Sequence, residues 1–215
     1  MKNGKQNASS KYQAVLLVGP TGSGKTPFGA FCEENGFNRR PCLHFDFGAE
    51  LRLLAAGGDR ATDFSGDERL FIRQVLEEGR LLENEHFPIA EKIIHLFLRE
   101  KKYATDGFIL LNGLPRHIGQ ARDLETIVDI REVIYLACHP EVVYERIRRN
   151  TGGDRIGRTD DALDAIRNKL AVFQDRTVPL LEYYRGKGAR ITDITVETDH
   201  TAADVYASCR TDDCR

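Results

Sequence analysis

The chain has 215 residues, a formal net charge of −2 at neutral pH and 41% hydrophobic residues. At about 150 residues per domain, this length predicts one domain with an insertion, and the apolar content is sufficient for a hydrophobic core. The balanced charge, with a sequence pI near 6.3, excludes a general electrostatic attraction to nucleic acid or anionic membranes, so we expect neither as a partner.

The cellular setting is predicted from what the sequence lacks. No apolar run approaches the about 18 residues that a membrane helix needs, and residues 1–11 contain no hydrophobic signal segment. The five cysteines are an odd number without tight spacing, which argues against a disulfide framework and for a reducing compartment. We expect a cytoplasmic monomer in which residues 1–11 form a disordered tail.

Five short, mainly apolar runs predict strands. They are Ala14–Val18, Cys42–Phe45, Phe108–Leu111, Glu132–Leu136 and Arg190–Ile194. Such runs are typical of strands buried on both faces, and their alternation with helical patterns predicts a mostly parallel sheet with helices on both sides. The expected fold class is therefore α/β, with three layers around a central five-stranded sheet.

The gap between the second and third predicted strands is longer than one helical crossover needs. Apolar residues recur there at helical spacing, for example at Leu51 and Leu54 and again at Ile93 and Phe97. This pattern predicts a helical subdomain over residues 47–103, at the ends of the strands.

The first strand leads into Gly19–Thr26, whose letters GPTGSGKT match the phosphate-binding pattern G-x-x-x-x-G-K-[ST] between a strand and a helix. Glycines in such a loop let backbone N–H groups surround an anion at a helix N-terminus. Lys25 would reach the β- and γ-phosphates, Thr26 would offer its hydroxyl to Mg²⁺, and Pro27 suits a first helical turn. The candidate residues for binding a nucleoside triphosphate in this loop are Gly22, Ser23, Gly24, Lys25, Thr26 and Pro27.

A second polar segment, Asn112–Arg116, follows the third strand, and Gln120 comes four residues later. Ligands collect at the carboxyl ends of strands in open parallel sheets. The Arg116 guanidinium suits a phosphate, although a surface ion pair is the alternative, and the Gln120 amide suits the edge of a nucleobase. Phosphoryl transfer to a phosphate, which is already ionised, needs positioned cations and no general base.

Together these segments resemble the adenylate kinase and nucleoside monophosphate (NMP) kinase family. Residues 108–125 (FILLNGLPRHIGQARDLE) are similar to its D-G-F-P-R-x-x-x-Q segment, and residues 44–54 (HFDFGAELRLL) to its S-T-G-D-L-L-R segment. Residues 155–184 are similar to its G-R-x-D-D…T-x-P-L-x-x-Y-Y segment. The resemblance covers most of the chain. It implies a P-loop NTPase fold and Mg²⁺-dependent, reversible transfer of the ATP γ-phosphoryl group to a nucleoside monophosphate, with AMP preferred.

The resemblance also implies roles for individual residues. The acceptor nucleotide would be bound by Phe47, Arg52, Leu82, Gly113, Arg116, Gln120 and Arg158. The phosphates in transfer would be surrounded by Lys25, Arg116, Arg149, Arg155, Arg158 and Lys169. Arg146 would lie over the ATP base. Thr26 would hold Mg²⁺ directly and Asn112 through water, and no zinc is expected because the short lid has no cysteine.

The same resemblance divides the chain. The P-loop core would comprise 12–46, 104–148 and 158–208, the helical NMP-binding subdomain 47–103 and the short lid 149–157, with tails at 1–11 and 209–215. We interpret Cys209 and Cys214, near the end of the sequence, as thiols of a disordered tail, with a metal or redox pair as the alternative.

Several residues depart from the family pattern. Asn112 stands where the family has an Asp that organises Mg²⁺, so metal binding would be weaker or supplied elsewhere. Lys169 replaces a phosphate-contacting Arg with a point charge, Asn150 falls near a second lid arginine, and Ala49 replaces an acidic residue. These departures leave open which nucleotide is preferred. They also leave open the alternative that the protein is a nucleotide-binding sensor of low turnover.

Two further activities remain as alternatives. A kinase of a small hydroxyl metabolite would benefit from a carboxylate base, for which Asp46 is the candidate. The phosphate loop is also similar to the opening of tRNA prenyl transferases, but the chain lacks the other motifs of that family.

Overall fold

The computed structural model describes residues 11–103, 107–155 and 162–211. Its sheet consists of β1 (Tyr12–Val18), β2 (Cys42–Asp46), β3 (Phe108–Asn112), β4 (Val128–Ala137) and β5 (Arg190–Thr195). The strands lie in the order β2-β3-β1-β4-β5, and every neighbouring pair is parallel. The predicted α/β fold with a five-stranded parallel sheet is confirmed.

The helices of the described residues surround this sheet. They are α1 (Lys25–Asn35), α2 (Phe47–Ala56), α3 (Gly66–Glu78), α4 (Phe87–Lys101), α5 (Ile118–Leu124), α6 (Pro140–Arg149), α7 (Leu163–Val172), α8 (Pro179–Gly186) and α9 (Ala202–Thr211). Short 3₁₀ turns cover Asp59–Asp63 and Asn84–His86, and a π-helical turn joins α7 to α8 at Phe173–Thr177. Among the helices described, none is long and apolar enough to cross a membrane.

The central strands are buried because their side chains are apolar on both faces of the sheet. All five residues of β3 are buried, as are the last five of β1. The strand β4 begins four residues before the predicted start at Glu132, since Val128–Ile130 pair with the beginning of β1. Charged residues such as Asp129 and Arg131 interrupt the apolar pattern in this part, and its pairing shifts register between Ala14 and Val15.

One hydrophobic cluster extends from the sheet into the segment between β2 and β3. It includes Leu16 of β1, Leu54 of α2 and Ile93 of α4. The rings of Phe45 and Phe97 meet edge to face at 5.1 Å between centroids, which packs α4 directly on β2. The segment 47–103 is therefore continuous with the core of the sheet through α4, and its limits as a subdomain stay a prediction.

A second cluster lies on the opposite face of the sheet, under α1 and α9. Cys209 is buried there with Cys32 and Cys42, so the prediction that it is a thiol of a disordered tail is wrong. Val205 and Cys209 are one helical turn apart and form the buried face of α9, a short pattern that the sequence analysis did not interpret. Burial raises the pKa of the Cys42 thiol to about 12 and also raises that of Cys32, so these two thiols stay protonated. Cys214 and residues 1–10 lie outside the described residues.

Replacing Gly29 by Ala should destabilise the protein, although Ala is the better helix former by about 1 kcal/mol. Gly29 faces β2 from α1, and a Cβ built on it would lie 2.2 Å from Cδ2 of His44. Overpacking of this kind typically costs about 1–3 kcal/mol. We therefore expect a lower free energy of unfolding in urea titrations of Gly29→Ala.

The matched control is Gly186→Ala at the end of α8, where a Cβ meets no described atom within 4 Å. This variant should be neutral or slightly stabilising, because it changes helix propensity without adding a contact. If the two variants lose equal stability, the overlap with His44 is not the cause.

Candidate active site

The polar segments that follow β1, β2 and β3 meet at one edge of the sheet. Asn112, the last residue of β3, pairs in register with Asp46 of β2 on one side and with Leu17 of β1 on the other. The phosphate loop, residues 19–26, follows β1 directly. The parallel topology thus joins three segments at the edge where open α/β sheets bind ligands.

The phosphate loop requires glycine for both its backbone and its packing. Gly22 and Gly24 have φ angles of 74° and 92°, in the region that favours glycine. A Cβ on Gly22 would also lie 2.8 Å from Cγ1 of Ile147 on α6. Ser23 is buried, and its N–H donates to the Pro20 carbonyl at 3.3 Å. The loop therefore forms a tight turn against α6 at the N-terminus of α1.

Lys25 begins α1, and its side chain turns back into the loop. Its Nζ donates hydrogen bonds to the carbonyl oxygens of Gly19 and Pro20, each at 2.7 Å. Burial, followed by the charges of Arg116 and Arg155, lowers the pKa of Lys25 from its usual 10.5 to about 7. A polyanion in the loop would favour the charged form and reverse this shift.

Three polar side chains form a compact network next to the loop. Thr26 Oγ1 donates to Asp46 Oδ2 at 2.5 Å, and the buried Asn112 amide donates to Asp46 Oδ2 at 2.8 Å and to Thr26 Oγ1 at 3.1 Å. Asp46 Oδ1 accepts the N–H of Ala49 at 2.9 Å and so caps the start of α2. The network combines hydroxyl, carboxylate and amide groups, which suit a hard divalent cation.

Two arginines face the cleft beyond the loop. The Arg116 N–H donates to Gln120 Oε1 at 2.7 Å, and its carbonyl accepts from Thr177 Oγ1 at 2.8 Å. Burial lowers the pKa of the Arg116 guanidinium. Arg52 of α2 extends over Gly48, since a Cβ there would lie 3.3 Å from its Nη1. Within the described part of the chain, neither guanidinium has a hydrogen-bond or ion-pair partner, which leaves both available to an anion.

A set of hydrogen bonds holds the carbonyl of Leu82 at the wall of the same cleft. Gln120 Nε2 donates to it at 2.7 Å, and His117 Nε2 lies 3.0 Å from it. His117 Nδ1 accepts the N–H of Gln120 at 3.3 Å and caps α5, which assigns the proton to Nε2. Phe47 and Gly113 line the cleft beside this group. The Gln120 amide is thus held at both ends by the protein.

Arg146 connects the phosphate loop to the segment between β5 and α9. Its Nε donates to the Gly22 carbonyl at 3.0 Å, and its Nη1 donates to the carbonyls of Glu197, Thr198 and His200 at 2.7, 3.1 and 2.9 Å. A small second cavity beside it is lined by Gly24, Pro27, Arg146, Thr151, Gly152, His200, Thr201, Ala202 and Val205. All four of these bonds are to backbone oxygens, which are uncharged, so they do not neutralise the Arg146 guanidinium.

The predicted lid contributes one arginine to the main cleft. Arg155 Nη2 donates to Thr21 Oγ1 of the phosphate loop at 2.8 Å, and its N–H donates to Asn150 Oδ1 at 3.0 Å. Lys169 of α7 and Asp154 line the same cleft. Arg155 therefore reaches the phosphate loop from the segment that follows α6.

Arg149, in contrast, does not lie with the other predicted site residues. It is exposed at the end of α6, where its Nε bonds to Glu145 at 2.7 Å and its Nη1 to Asp199 at 3.3 Å. The sequence analysis chose it for its position in a cluster of arginines and did not consider Glu145, four residues earlier on the same helix, as its partner. Arg158 lies outside the described residues.

The structure brings most of the predicted residues together in one cleft. The lining includes Gly22, Gly24, Lys25, Thr26, Phe47, Arg52, Leu82, Asn112, Gly113, Arg116, Gln120, Arg155 and Lys169. The sequence analysis missed His117 and Asp154, and it considered Asp46 only as a general base. The position of Asp46 at the end of a strand was a usable signal for a place at the sheet edge, whereas nothing local marks His117 as a partner of Leu82.

Comparisons with known proteins agree with this architecture. A family model described as adenylate kinase matches residues 17–189. The chain is 30% identical over 187 residues to an adenylate kinase of Synechococcus sp. (strain WH7803), covering 84% of this chain and 88% of the relative. It is 27% identical to UMP-CMP kinase 1 of Oryza sativa subsp. japonica, covering 92% and 74%. It is 25% identical to a uridylate kinase of Saccharomyces cerevisiae, covering 89% and 86%.

The low pKa of Lys25 predicts that ATP binding takes up a proton. In the empty cleft the neutral amine predominates above pH 7, while bound phosphates favour the ammonium, so the affinity for ATP should fall as the pH rises above 7. The expected decrease is up to about tenfold per pH unit. Calorimetry at about pH 8 in buffers with different ionisation enthalpies measures the proton directly.

Lys25→Met is the control for this measurement, because it removes the titrating group and keeps a long side chain. The variant should bind ATP more weakly and with little proton uptake. Equal proton uptake by the two proteins would assign the proton to another group.

Proposed function

The chain belongs to the adenylate kinase family, and we propose that it transfers the γ-phosphoryl group of ATP to AMP, giving two molecules of ADP. Nucleoside monophosphate kinase activity with ATP comes with the family. The choice of AMP is the finer part of the proposal, since relatives named UMP-CMP kinase and uridylate kinase are also similar to the chain.

The observation that carries the proposal is the pair of guanidinium groups without partners in the described structure, Arg52 and Arg116. Arg116 is partly desolvated at the cleft wall, which is unfavourable for a cation without a counter-ion, while Arg52 is exposed at the cleft. A planar guanidinium is best satisfied by a phosphate or carboxylate. Both face the cleft that the phosphate loop also lines. We assign the α-phosphate of the acceptor to these two residues.

The base pocket supports AMP through its hydrogen-bond pattern. The Leu82 carbonyl only accepts, and the Gln120 amide can both accept and donate. This combination suits a base with an amino group beside an unprotonated ring nitrogen, as in adenine and cytosine. Uracil has no amino group, and the N1–O6 edge of guanine has the reverse pattern of a donor beside an acceptor. The adenylate kinase relatives then favour adenine over cytosine. On binding, the base would replace the hydrogen bond between Gln120 and Leu82.

The chemistry is a direct displacement. A phosphate oxygen of AMP attacks the γ-phosphorus of ATP, the bond to the β-γ bridging oxygen breaks, and ADP leaves. Lys25, Arg116 and Arg155 surround the transferring group with positive charge, which is the main requirement of this reaction. Lys169 adds a further cation at the cleft wall. Arg158 keeps its predicted role, whereas Arg149 would first have to leave its carboxylate partners.

The Asp46 carboxylate argues against the alternative of a hydroxyl acceptor. Both of its oxygens already accept hydrogen bonds, from Thr26 and Asn112 on one side and from Ala49 on the other. The carboxylate is thus directed at the phosphate loop and the start of α2, whereas a general base would have to be directed at the hydroxyl of an acceptor.

Magnesium would accompany ATP at the network formed by Thr26, Asp46 and Asn112. The oxygen-rich donor set fits this ion, with the Thr26 hydroxyl as a direct ligand and Asn112 acting through water. When bound, the ion neutralises charge on the β- and γ-phosphate oxygens.

Closure completes the proposed site. The part of the NMP-binding segment before α4 and the lid residues up to Arg155 would move over AMP and ATP respectively and exclude water, while the P-loop core and α4, which packs on β2, stay in place. We propose that the protein does this as a monomer.

AMP should be the best acceptor in assays of ADP formation from Mg·ATP with AMP, CMP, UMP, GMP and dAMP, each against a blank without acceptor. The reason is the pattern of the Leu82 carbonyl and the Gln120 amide. A clear preference for UMP or GMP would contradict the proposed base pocket. Silence with all five acceptors, despite ATP binding, would contradict the kinase activity itself.

Arg52→Ala should raise the KM for AMP and leave the KM for ATP nearly unchanged. Loss of one charge-assisted contact of about 1.5–3 kcal/mol corresponds to an increase of about tenfold to hundredfold. The control is Arg73→Ala, an exposed arginine of α3 that does not line the cleft. Similar changes in both variants, or an effect on ATP alone, would remove Arg52 from the acceptor site.

A further inference from the structure

A carboxylate hydrogen-bonds directly to the hydroxyl of the phosphate loop, and it comes from the end of β2. Asp46 Oδ2 lies 2.5 Å from Thr26 Oγ1 and 2.8 Å from Asn112 Nδ2. Asn112, at the end of β3, contributes only a neutral amide. The negative charge beside the loop hydroxyl is therefore carried by Asp46.

This arrangement matches what a magnesium ion needs in a P-loop enzyme. Mg²⁺ keeps several waters and is bound through one or two carboxylates together with substrate phosphates. In P-loop enzymes generally, the hydroxyl of the loop and an aspartate hold the ion together. Thr26 supplies the hydroxyl here. We infer that Asp46 supplies the carboxylate for the Mg²⁺ of Mg·ATP, directly or through water, and that Asn112 positions it.

The register of the sheet explains why an aspartate on β2 can do this. Asp46 is directly opposite Asn112 in the β2–β3 pairing, and neighbouring strands are about 4.8 Å apart. A carboxylate moved from one strand end to the other stays at the same edge and, here, within reach of Thr26. Its second oxygen accepts the Ala49 N–H at 2.9 Å, which holds the group in place.

The inference rests on the proposed use of Mg·ATP but not on the choice of AMP, so it is tested by nucleotide binding without any acceptor. Calorimetry gives the dissociation constant of ATP with excess Mg²⁺ and with EDTA, and the ratio of the two constants measures the coupling between metal and nucleotide. Asp46→Asn removes the charge, while Asn can still cap α2. We expect Asp46→Asn to lower this ratio by about tenfold to hundredfold, the usual effect of losing a metal-orienting group.

The double variant Asp46→Asn/Asn112→Asp returns the carboxylate to the edge on the neighbouring strand, and it should restore most of the ratio. Asp154→Asn is the matched control, because Asp154 lines the same cleft and, like Asp46, raises the pKa of Lys25 by its charge. This control should leave the ratio close to that of the unaltered protein. Melting temperatures establish that all variants are folded.

Three results would overturn the inference. In the first, the ratio is unchanged in Asp46→Asn. In the second, the ratio falls equally in Asp154→Asn, which indicates a general effect of charge in the cleft. In the third, the double variant is folded but its ratio stays low, which indicates that Asp46 does not act as a carboxylate at this edge. If the unaltered protein does not bind ATP at all, both the proposed function and the inference fail. If it binds ATP but one of these three results is obtained, only the inference fails.

Discussion

Positive charge that the protein does not neutralise is the constraint on which the site depends. Lys25 and Arg116 converge on one cleft, and burial lowers the pKa of both side chains. Their mutual repulsion adds to the cost of removing them from water. The phosphates of two nucleotides supply the missing negative charge. The same cations that are unfavourable in the empty cleft therefore stabilise the cleft when nucleotides are bound.

The scaffold holds these cations without cancelling them. Lys25 donates to two backbone carbonyls, Arg146 to four, and Arg116 is positioned through its own backbone by Gln120 and Thr177. Carbonyl dipoles orient a cation, whereas a carboxylate would neutralise it. The contrast is visible at the end of α6, where exposed arginines pair with Glu145. The same residue type therefore has a different use inside the cleft and outside it.

Features that depend on short stretches of sequence were predictable. The phosphate loop and the start of α1 at Lys25 follow from glycine spacing and the flanking strand, and the buried strands follow from apolar runs. The predictions that failed depend on partners distant in sequence. Cys209 is buried because α9 packs against α1, and the start of β4 depends on pairing with β1. Local composition carries no information about either contact.

The site residues divide in the same way. Arg155 and Arg149 belong to one basic stretch, but Thr21 brings the first into the cleft, and Glu145 with Asp199 holds the second outside. Glu145 is one helical turn from Arg149, so that pair could be predicted from spacing, whereas the contacts of Arg149 with Asp199 and of Arg155 with Thr21 depend on tertiary packing. The adenylate kinase resemblance could transfer the position of an arginine but not the acids that this chain places around it.

Asp46 connects the two halves of the cleft in a way that no single motif describes. One of its oxygens accepts from Thr26 of the phosphate loop, and the other caps α2, the helix that carries Phe47 and Arg52. The carboxylate thus contacts the triphosphate side and sets the first turn of the acceptor side. An N-cap contributes about 1 kcal/mol to the stability of its helix. A shift of Asp46 toward a bound cation would therefore change the hydrogen bond that holds the start of α2. Placing the charge on β2 instead of β3 therefore changes more than the location of one ligand, because β2 leads directly into α2, the helix that we propose binds the acceptor.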